Sequence, residues 1–132
     1  MIVLENISKI YKHDDTVTVA LDKVSLGIAR NEFVAIVGES GSGKSTLLNI
    51  IGCMDVASEG EYYLNGRLVS GMSENELSQV RLHEVTFVFQ NFALLDKYTG
   101  YENIELPLVN QGVSRQERKK QVEAVTKSLN IE

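Results

Sequence analysis

Residues 38–46 read GESGSGKST, which is three glycines, three serines, one lysine, one glutamate and one threonine. They contain the pattern G-x-x-x-x-G-K-[ST]. The apolar run FVAIV at 33–37 precedes them, and a run with helical spacing, 46–51, follows. A buried strand, a glycine-rich turn and a helix in this order are the context in which the pattern binds phosphate. The stretch therefore predicts a P-loop.

The chemistry of phosphate binding explains these residue types. Main-chain N–H groups surround a phosphate only where side chains leave room, and the N-terminus of a helix adds the positive end of its dipole. Lys44 is placed to reach the terminal phosphates of a nucleotide, and the Ser45 hydroxyl to ligate Mg²⁺. The predicted nucleotide-binding residues of the loop are Gly38, Glu39, Ser40, Gly41, Ser42, Gly43, Lys44, Ser45 and Thr46.

Other interpretations of the loop are weaker. A flexible loop without a ligand does not require the flanking strand and helix patterns. The dinucleotide pattern G-x-G-x-x-G fails because Thr46 stands where its third glycine belongs. A GTPase would be expected to show N-K-x-D, which is absent, and a P-loop kinase would need an acceptor site that the sequence does not reveal.

Composition sets further bounds. The 132 residues are 43% hydrophobic and 23% charged, as in an ordinary globular domain. The net charge of -5 offers no basic field for a nucleic-acid backbone, so no nucleic-acid partner is expected. The one cysteine, Cys53, cannot form an internal disulfide and is expected to be buried, which favours the reducing cytoplasm. No apolar run approaches the roughly 20 residues that cross a bilayer.

The remaining patterns predict an α/β fold. Alternating apolar and polar residues predict antiparallel strands at 2–11 and 17–28, whereas 33–37 is apolar on both faces and predicts a central parallel strand. A further strand is expected at 85–89. Asn65-Gly66 predicts a tight hairpin between two short apolar runs.

Helices are expected after the P-loop, with an end at Gly52, and in the second half of the chain. Serine or threonine stands three residues before glutamate at three helix starts: Ser73 with Glu76, Thr99 with Glu102, and Ser114 with Glu117. The last helix is expected from Arg115 to about Leu129. Pro107 is expected to end or kink the helix that starts near Thr99.

With these motifs in place, the chain resembles the N-terminal portion of an ABC transporter ATP-binding subunit, of the branch that includes macrolide exporters and lipoprotein-release ATPases. The matching stretches, in family order, are LENISKIY, ALDKVSLGIARNEFVAIVGESGSGKSTLLNIIGCMD, SEGEYYLNG and VTFVFQNFALLDKYTGYENIELPL. The resemblance implies a P-loop NTPase (RecA-like) core with an antiparallel β subdomain and the start of a helical subdomain. The expected divisions are antiparallel β at 1–30 and 59–70, the P-loop strand and helix at 31–58, a helix and Q-loop strand at 71–90, and the start of the helical subdomain at 91–132.

The resemblance also implies roles for single residues. Tyr11 matches the aromatic residue that stacks on adenine. Gln90 matches the glutamine of the Q-loop, which contacts Mg²⁺ and the attacking water, so the implied catalytic residues are Lys44 and Gln90 and the implied metal contacts are Ser45 and Gln90. The implied cofactors are ATP and Mg²⁺.

The resemblance implies two partners. Residues from about 92 to 103 match the surface that meets a transmembrane permease, which would hold the subunit at the cytoplasmic face of the membrane. A second ATP-binding subunit would complete a homodimer in the intact protein. The transported substrate is not indicated.

Several family motifs are absent from the 132 residues. There is no LSGGQ signature. The run at 92–96, which ends in Asp96, is rejected as a Walker B strand because it follows Gln90 by only a few residues, is followed by Lys97 and falls on the Q-loop. His13 and His83 lie upstream of the position of the family's switch histidine. The expectation is therefore a truncated ATP-binding domain that binds nucleotide with little turnover, with sheet edge and apolar surface exposed. The alternative is a non-hydrolysing nucleotide-binding or interaction module that acts on a permease or an intact subunit.

Overall fold

The computed structural model describes residues 1–131, which fall into two units: Met1–Val85 and the residues from Thr86 onward. The strands are β1 (Ile2–His13), β2 (Thr16–Ile28), β3 (Glu59–Leu64) and β4 (Arg67–Leu68). The helices are α1 (Lys44–Ile51), α2 (Glu74–His83), α3 (Gly100–Asn110) and α4 (Arg115–Leu129). All strands, with α1 and α2, belong to the first unit, and α3 and α4 belong to the second.

The sheet of the first unit is antiparallel, with strand order β2-β1-β3-β4. Ile2 of β1 pairs with Ile28 of β2 on one side and with Leu64 of β3 on the other. The predicted Asn65-Gly66 hairpin is confirmed, because Asn65 has φ 52° and Gly66 has φ 81°, as a two-residue turn of the favoured type requires. The two long strands are also as predicted, extended by two residues at 12–13 and by one at 16.

The core of the first unit lies between this sheet and the helices α1 and α2. Leu4 and Ile7 of β1 are buried together with Ile50 of α1 and Val80 of α2. The hydroxyl of the buried Tyr62 donates a hydrogen bond to the carbonyl oxygen of Ile51 at 2.9 Å, so this polar group is satisfied at the end of α1. The core thus fixes α1, the helix that begins in the glycine-rich loop, against the sheet.

In the second unit, α3 and α4 pack against each other. Val122 of α4 is buried, and the Arg118 guanidinium donates to the Glu105 carboxylate and to the carbonyl oxygen of Val113, both at 2.7 Å. Arg118 therefore ties α4 both to α3 and to the turn between them.

The predicted helix starts are present. Ser73 and Thr99 each form the full reciprocal capping box, and Ser114 accepts a hydrogen bond from the main-chain N–H of Glu117. The bounds of α4 are as predicted. Of the two expected effects of Pro107, ending α3 does not occur, because the helix continues to Asn110 and the N–H of Gln111 donates to the carbonyl oxygen of Pro107; the expected kink stays a prediction. The ring removes one donor but leaves the later helical bonds intact.

Two predicted strands differ from the structure. Within residues 1–131, neither 33–37 nor 85–89 pairs with another strand, and the parallel part of the sheet is absent. Phe33 is 97% exposed and Val37 is 87% exposed, although Ile36 packs against the core. A strand exists only where a neighbour completes its hydrogen-bond ladder, and an apolar run does not supply that neighbour. The expected exposure of apolar surface is confirmed at these residues.

Candidate functional site

The glycine-rich loop enters α1 through Gly43, which caps the helix in the left-handed conformation with φ 87°. A Cβ at Gly43 would stand 2.5 Å from the carbonyl oxygen of Ala20 and 2.9 Å from a methyl group of Leu21. Both neighbours belong to β2. The loop therefore lies against the main chain of the sheet at a distance that only glycine permits.

The loop and the first turn of α1 present a cluster of free main-chain donors. Ser42 donates its N–H to the carbonyl oxygen of Glu39 at 3.2 Å. Within residues 1–131 no acceptor is found for the N–H groups of Gly41, Gly43, Lys44, Ser45 and Thr46. No side chain caps the helix, and its first turn contains no acidic residue. Unpaired amides and the positive end of the helix dipole therefore coincide, which suits a bound anion.

The Lys44 side chain folds back over the loop. Its Nζ donates to the carbonyl oxygen of Gly38 at 2.9 Å, to that of Glu39, and to Ser42 Oγ at 3.3 Å. The ammonium group thus lies among the loop residues that precede the helix. The hydroxyl of the exposed Ser45 has no partner among the described residues, so it is free to take a ligand.

Tyr11 lies near the end of β1, opposite Thr18 of β2, and Thr18 is two residues from Ala20, which approaches Gly43. The Tyr11 hydroxyl donates to Asp55 Oδ2 at 2.8 Å, and the residue is 39% exposed. The first unit therefore carries both the loop and Tyr11. Gln90 belongs to the second unit, in an exposed turn, and its part in the site stays a prediction.

An ion pair beside Tyr11 was not predicted. Lys9 Nζ donates to Asp55 Oδ1 at 2.6 Å and to the carbonyl oxygen of Val56 at 2.7 Å. Lys9 precedes Tyr11 by two residues, so both side chains lie on the same face of β1, which is a signal that the sequence contains. Asp55 carries no such signal, because it is 46 residues away from Lys9.

The surroundings of Asp55 shift its pKa. Partial burial is the largest single influence and raises the pKa, but the hydrogen bonds from Lys9, Tyr11 and the Val56 N–H, together with the positive charge of Lys9, outweigh it, so the net pKa lies below the ordinary value of 3.8. The folded chain therefore favours the ionised carboxylate, which is the form that pairs with Lys9.

Acid is expected to destabilise the first unit through this group. The stabilisation is fully present above the pKa of Asp55 in the unfolded chain, and it is lost as the pH falls through the lower folded value. Between about pH 5 and pH 3, the free energy of unfolding of the unmodified chain should fall more than that of Asp55→Asn. Urea titrations followed by circular dichroism at each pH measure the difference.

Asp22→Asn is the control for that experiment, because it removes the same charge from an exposed position on β2 with no ion pair in the described part of the chain. It should follow the unmodified chain. Equal decreases in the free energy of unfolding between about pH 5 and pH 3 for Asp55→Asn and the unmodified chain would contradict the expectation.

The described residues include no group of three histidine, cysteine, aspartate or glutamate side chains that could hold a metal ion. Cys53 is buried as predicted, and burial raises the pKa of its thiol.

No helix in residues 1–131 is both long and apolar enough to span a membrane.

The pattern G-x-x-x-x-G-K-[ST] at 38–45, in a glycine-rich turn that leads into a helix with free N-terminal amides, is typical of P-loop NTPases. The sequence profile of the ABC transporter family matches residues 21–132. The chain belongs to the ABC transporter family.

Proteins of similar sequence include an ABC transporter ATP-binding protein and a macrolide export ATP-binding/permease protein. The chain is 42% identical over 135 residues to the uncharacterized ABC transporter ATP-binding protein MJ0796 of Methanocaldococcus jannaschii, covering 100% of this chain and 57% of that protein. It is 50% identical over 109 residues to the macrolide export ATP-binding/permease protein MacB of Bdellovibrio bacteriovorus, covering 83% of this chain and 17% of that protein. The chain thus spans little more than half of the first relative and a small part of the second.

A solved structure gives the same result for the fold. The dimeric structure of a post-hydrolysis state of the ATP-binding cassette MJ0796, bound to ADP and Pi, superposes on this chain with a TM-score of 0.88 at 42% identity. The superposition covers 96% of this chain and 56% of that one. The fold class is therefore α/β with the P-loop NTPase fold, as predicted.

Proposed function

We propose that this chain is part of the ATP-binding subunit of an ABC transporter and binds ATP with Mg²⁺ through residues 38–46. The observation that carries the proposal is the set of N–H groups in the loop and the first turn of α1 that have no acceptor within residues 1–131, namely those of Gly41, Gly43, Lys44, Ser45 and Thr46. Donors fixed in this way need little reorganisation when a phosphate arrives. The bound ADP and Pi of the related MJ0796 cassette support the same ligand class.

Each residue would act on a different part of the nucleotide. The loop amides would donate to phosphate oxygens, and Lys44 would add a positive charge beside the terminal phosphates. Ser45 would ligate Mg²⁺, which neutralises phosphate charge when bound. Tyr11 would stack on the base, and Gln90 would contribute to the metal and water positions.

In the intact subunit, we propose that ATP binding and hydrolysis drive export or lipoprotein release through a membrane permease. The segment from about 92 to 103 is the proposed permease contact, and Phe92 and Leu94 there are 83% and 65% exposed. The permease would hold the subunit at the cytoplasmic face of the membrane, and a second ATP-binding subunit would close on the first. The dimeric form of the MJ0796 cassette supports this last step.

The chain alone is proposed to turn over little ATP. The 132 residues contain no signature motif and no Walker B aspartate with a following glutamate, and loss of one such group typically lowers a rate by orders of magnitude. Phosphate release above background that disappears in Lys44→Ala would overturn this part of the proposal. ATP binding without such release is the expected result.

Lys44→Ala tests the binding site itself. Because a hydrogen bond from a charged donor contributes about 1.5–3 kcal/mol, the substitution should raise the Kd for ATP at least about tenfold. Isothermal titration calorimetry with and without Mg²⁺ measures the effect. The control Lys23→Ala, which removes an exposed lysine from β2, should leave the Kd within about twofold. Equal affinities for Lys44→Ala and the unmodified chain would refute the assignment.

A further inference from the structure

Asp55 connects the segment after α1 to the strand that carries Tyr11. Its two carboxylate oxygens are divided between two side chains of β1: Oδ1 accepts from Lys9 at 2.6 Å, and Oδ2 accepts from the Tyr11 hydroxyl at 2.8 Å. The Lys9 side chain is 11% exposed and that of Asp55 26%, so water competes only partly for these bonds. The Tyr11 ring is therefore anchored at its hydroxyl end.

Lys9 also acts on the ring directly. Its ammonium group lies 4.9 Å from the centre of the Tyr11 ring. A cation over the face of an aromatic ring is attracted to it, so Lys9 occupies one face of Tyr11. The opposite face is the one left for a flat ligand, in a residue that is 39% exposed.

The segment that carries Asp55 is itself fixed. The N–H groups of Met54 and Asp55 donate to the carbonyl oxygen of Asn49 in α1, at 2.8 and 3.2 Å. The Arg81 guanidinium donates to the carbonyl oxygen of Cys53 at 2.6 Å. The carboxylate thus stands on a segment that is hydrogen-bonded to α1, the helix that begins at the P-loop, and to Arg81.

We propose that Asp55 and Lys9 are positioning residues, which hold the Tyr11 ring with one face open so that a purine base stacks on it. The inference rests on the proposed function. A tyrosine that must be ordered on binding loses rotamer freedom, whereas a ring fixed beforehand does not, so the anchor increases affinity without touching the ligand. Because α1 connects the Asp55 segment to the phosphate loop, the positions that would contact the base and the phosphates are fixed relative to each other.

The test compares ATP with inorganic tripolyphosphate, which carries phosphates and no base. Asp55→Ala should raise the Kd for ATP about fivefold, because only part of the stacking free energy of the base on the aromatic ring is lost. It should leave the Kd for tripolyphosphate within about twofold. A purely structural role would weaken both ligands equally. Asp22→Ala, at an exposed carboxylate of the same sheet, is the matched control and should change neither Kd.

Tyr11→Phe provides a second route, because it removes only the hydroxyl that Asp55 accepts from and keeps the ion pair. It should weaken ATP about two- to fivefold and leave tripolyphosphate unchanged, and adding Asp55→Ala to it should change the Kd for ATP by less than Asp55→Ala alone does. If Asp55→Ala does not fold, Tyr11→Phe decides.

Unchanged ATP affinity in Tyr11→Phe, or equal losses for ATP and tripolyphosphate, would overturn the inference while the proposed function stands. Absence of ATP binding by the unmodified, folded chain would overturn the proposed function itself, and the inference with it.

Discussion

Gly43→Ala should abolish measurable ATP binding and lower the free energy of unfolding of the first unit by about 3 kcal/mol. The φ of 87° is unfavourable for any residue with a Cβ, and the added methyl group would stand 2.5 Å from the carbonyl oxygen of Ala20. Either the loop or β2 must move. Since Gly43 forms the N-terminus of α1, such a shift displaces the amides on which the phosphate site depends.

Gly41→Ala is the matched control for this substitution. Gly41 has a similar φ of 80°, but a Cβ there meets no atom within 4 Å. The left-handed backbone alone should cost about 1–2 kcal/mol, and the Kd for ATP should rise less than about fivefold. Urea unfolding and calorimetry on both variants separate backbone strain from the contact with β2. Equal effects of the two substitutions would show that the contact is not what makes Gly43 necessary.

Ile7→Ala should destabilise the first unit by about 3–4 kcal/mol, within the range of roughly 2–5 kcal/mol for removing a large aliphatic side chain from a core. Ile7 has no exposed surface, and it lies on the central part of β1 among the core residues of both neighbouring strands and both helices. The cavity that alanine leaves would be lined by rigid neighbours, which limits collapse. Urea titration followed by circular dichroism measures the loss.

Val19→Ala is the companion to that substitution. Val19 occupies β2 of the same sheet but is 57% exposed, so its truncation should change the free energy of unfolding by less than about 0.5 kcal/mol. A loss for Ile7→Ala below about 1 kcal/mol would mean that the core of the first unit is not packed as described.

Local signals predicted much of the fold. The Asn65-Gly66 turn, the capping pairs at Ser73 and Thr99, and the stop of α1 at Gly52 depend on residues a few positions apart, and the structure contains all of them. The P-loop motif is equally local. The sequence also predicted that glycine is needed there, although the approach of Ala20 to Gly43 became visible only in the folded chain.

Features that depend on distant residues were less accessible. The run at 33–37 has the composition of a central strand, but a strand needs a partner that the run itself cannot specify. The bond between Tyr11 and Asp55 joins residues 44 positions apart, and no periodic pattern relates them. The sequence likewise contains no linker that would mark the boundary of the two units between Val85 and Thr86.

The position of Lys44 affects how a triphosphate would be received. The three protons of its ammonium group are matched by three oxygen acceptors within the loop, at Gly38, Glu39 and Ser42. The oxygens of a bound triphosphate would therefore replace loop oxygens as acceptors of the Lys44 hydrogen bonds. The number of hydrogen bonds made by Lys44 would stay the same. We therefore expect this site to select highly charged ligands, because a weakly charged ligand could not displace the carbonyl groups of the loop from Lys44.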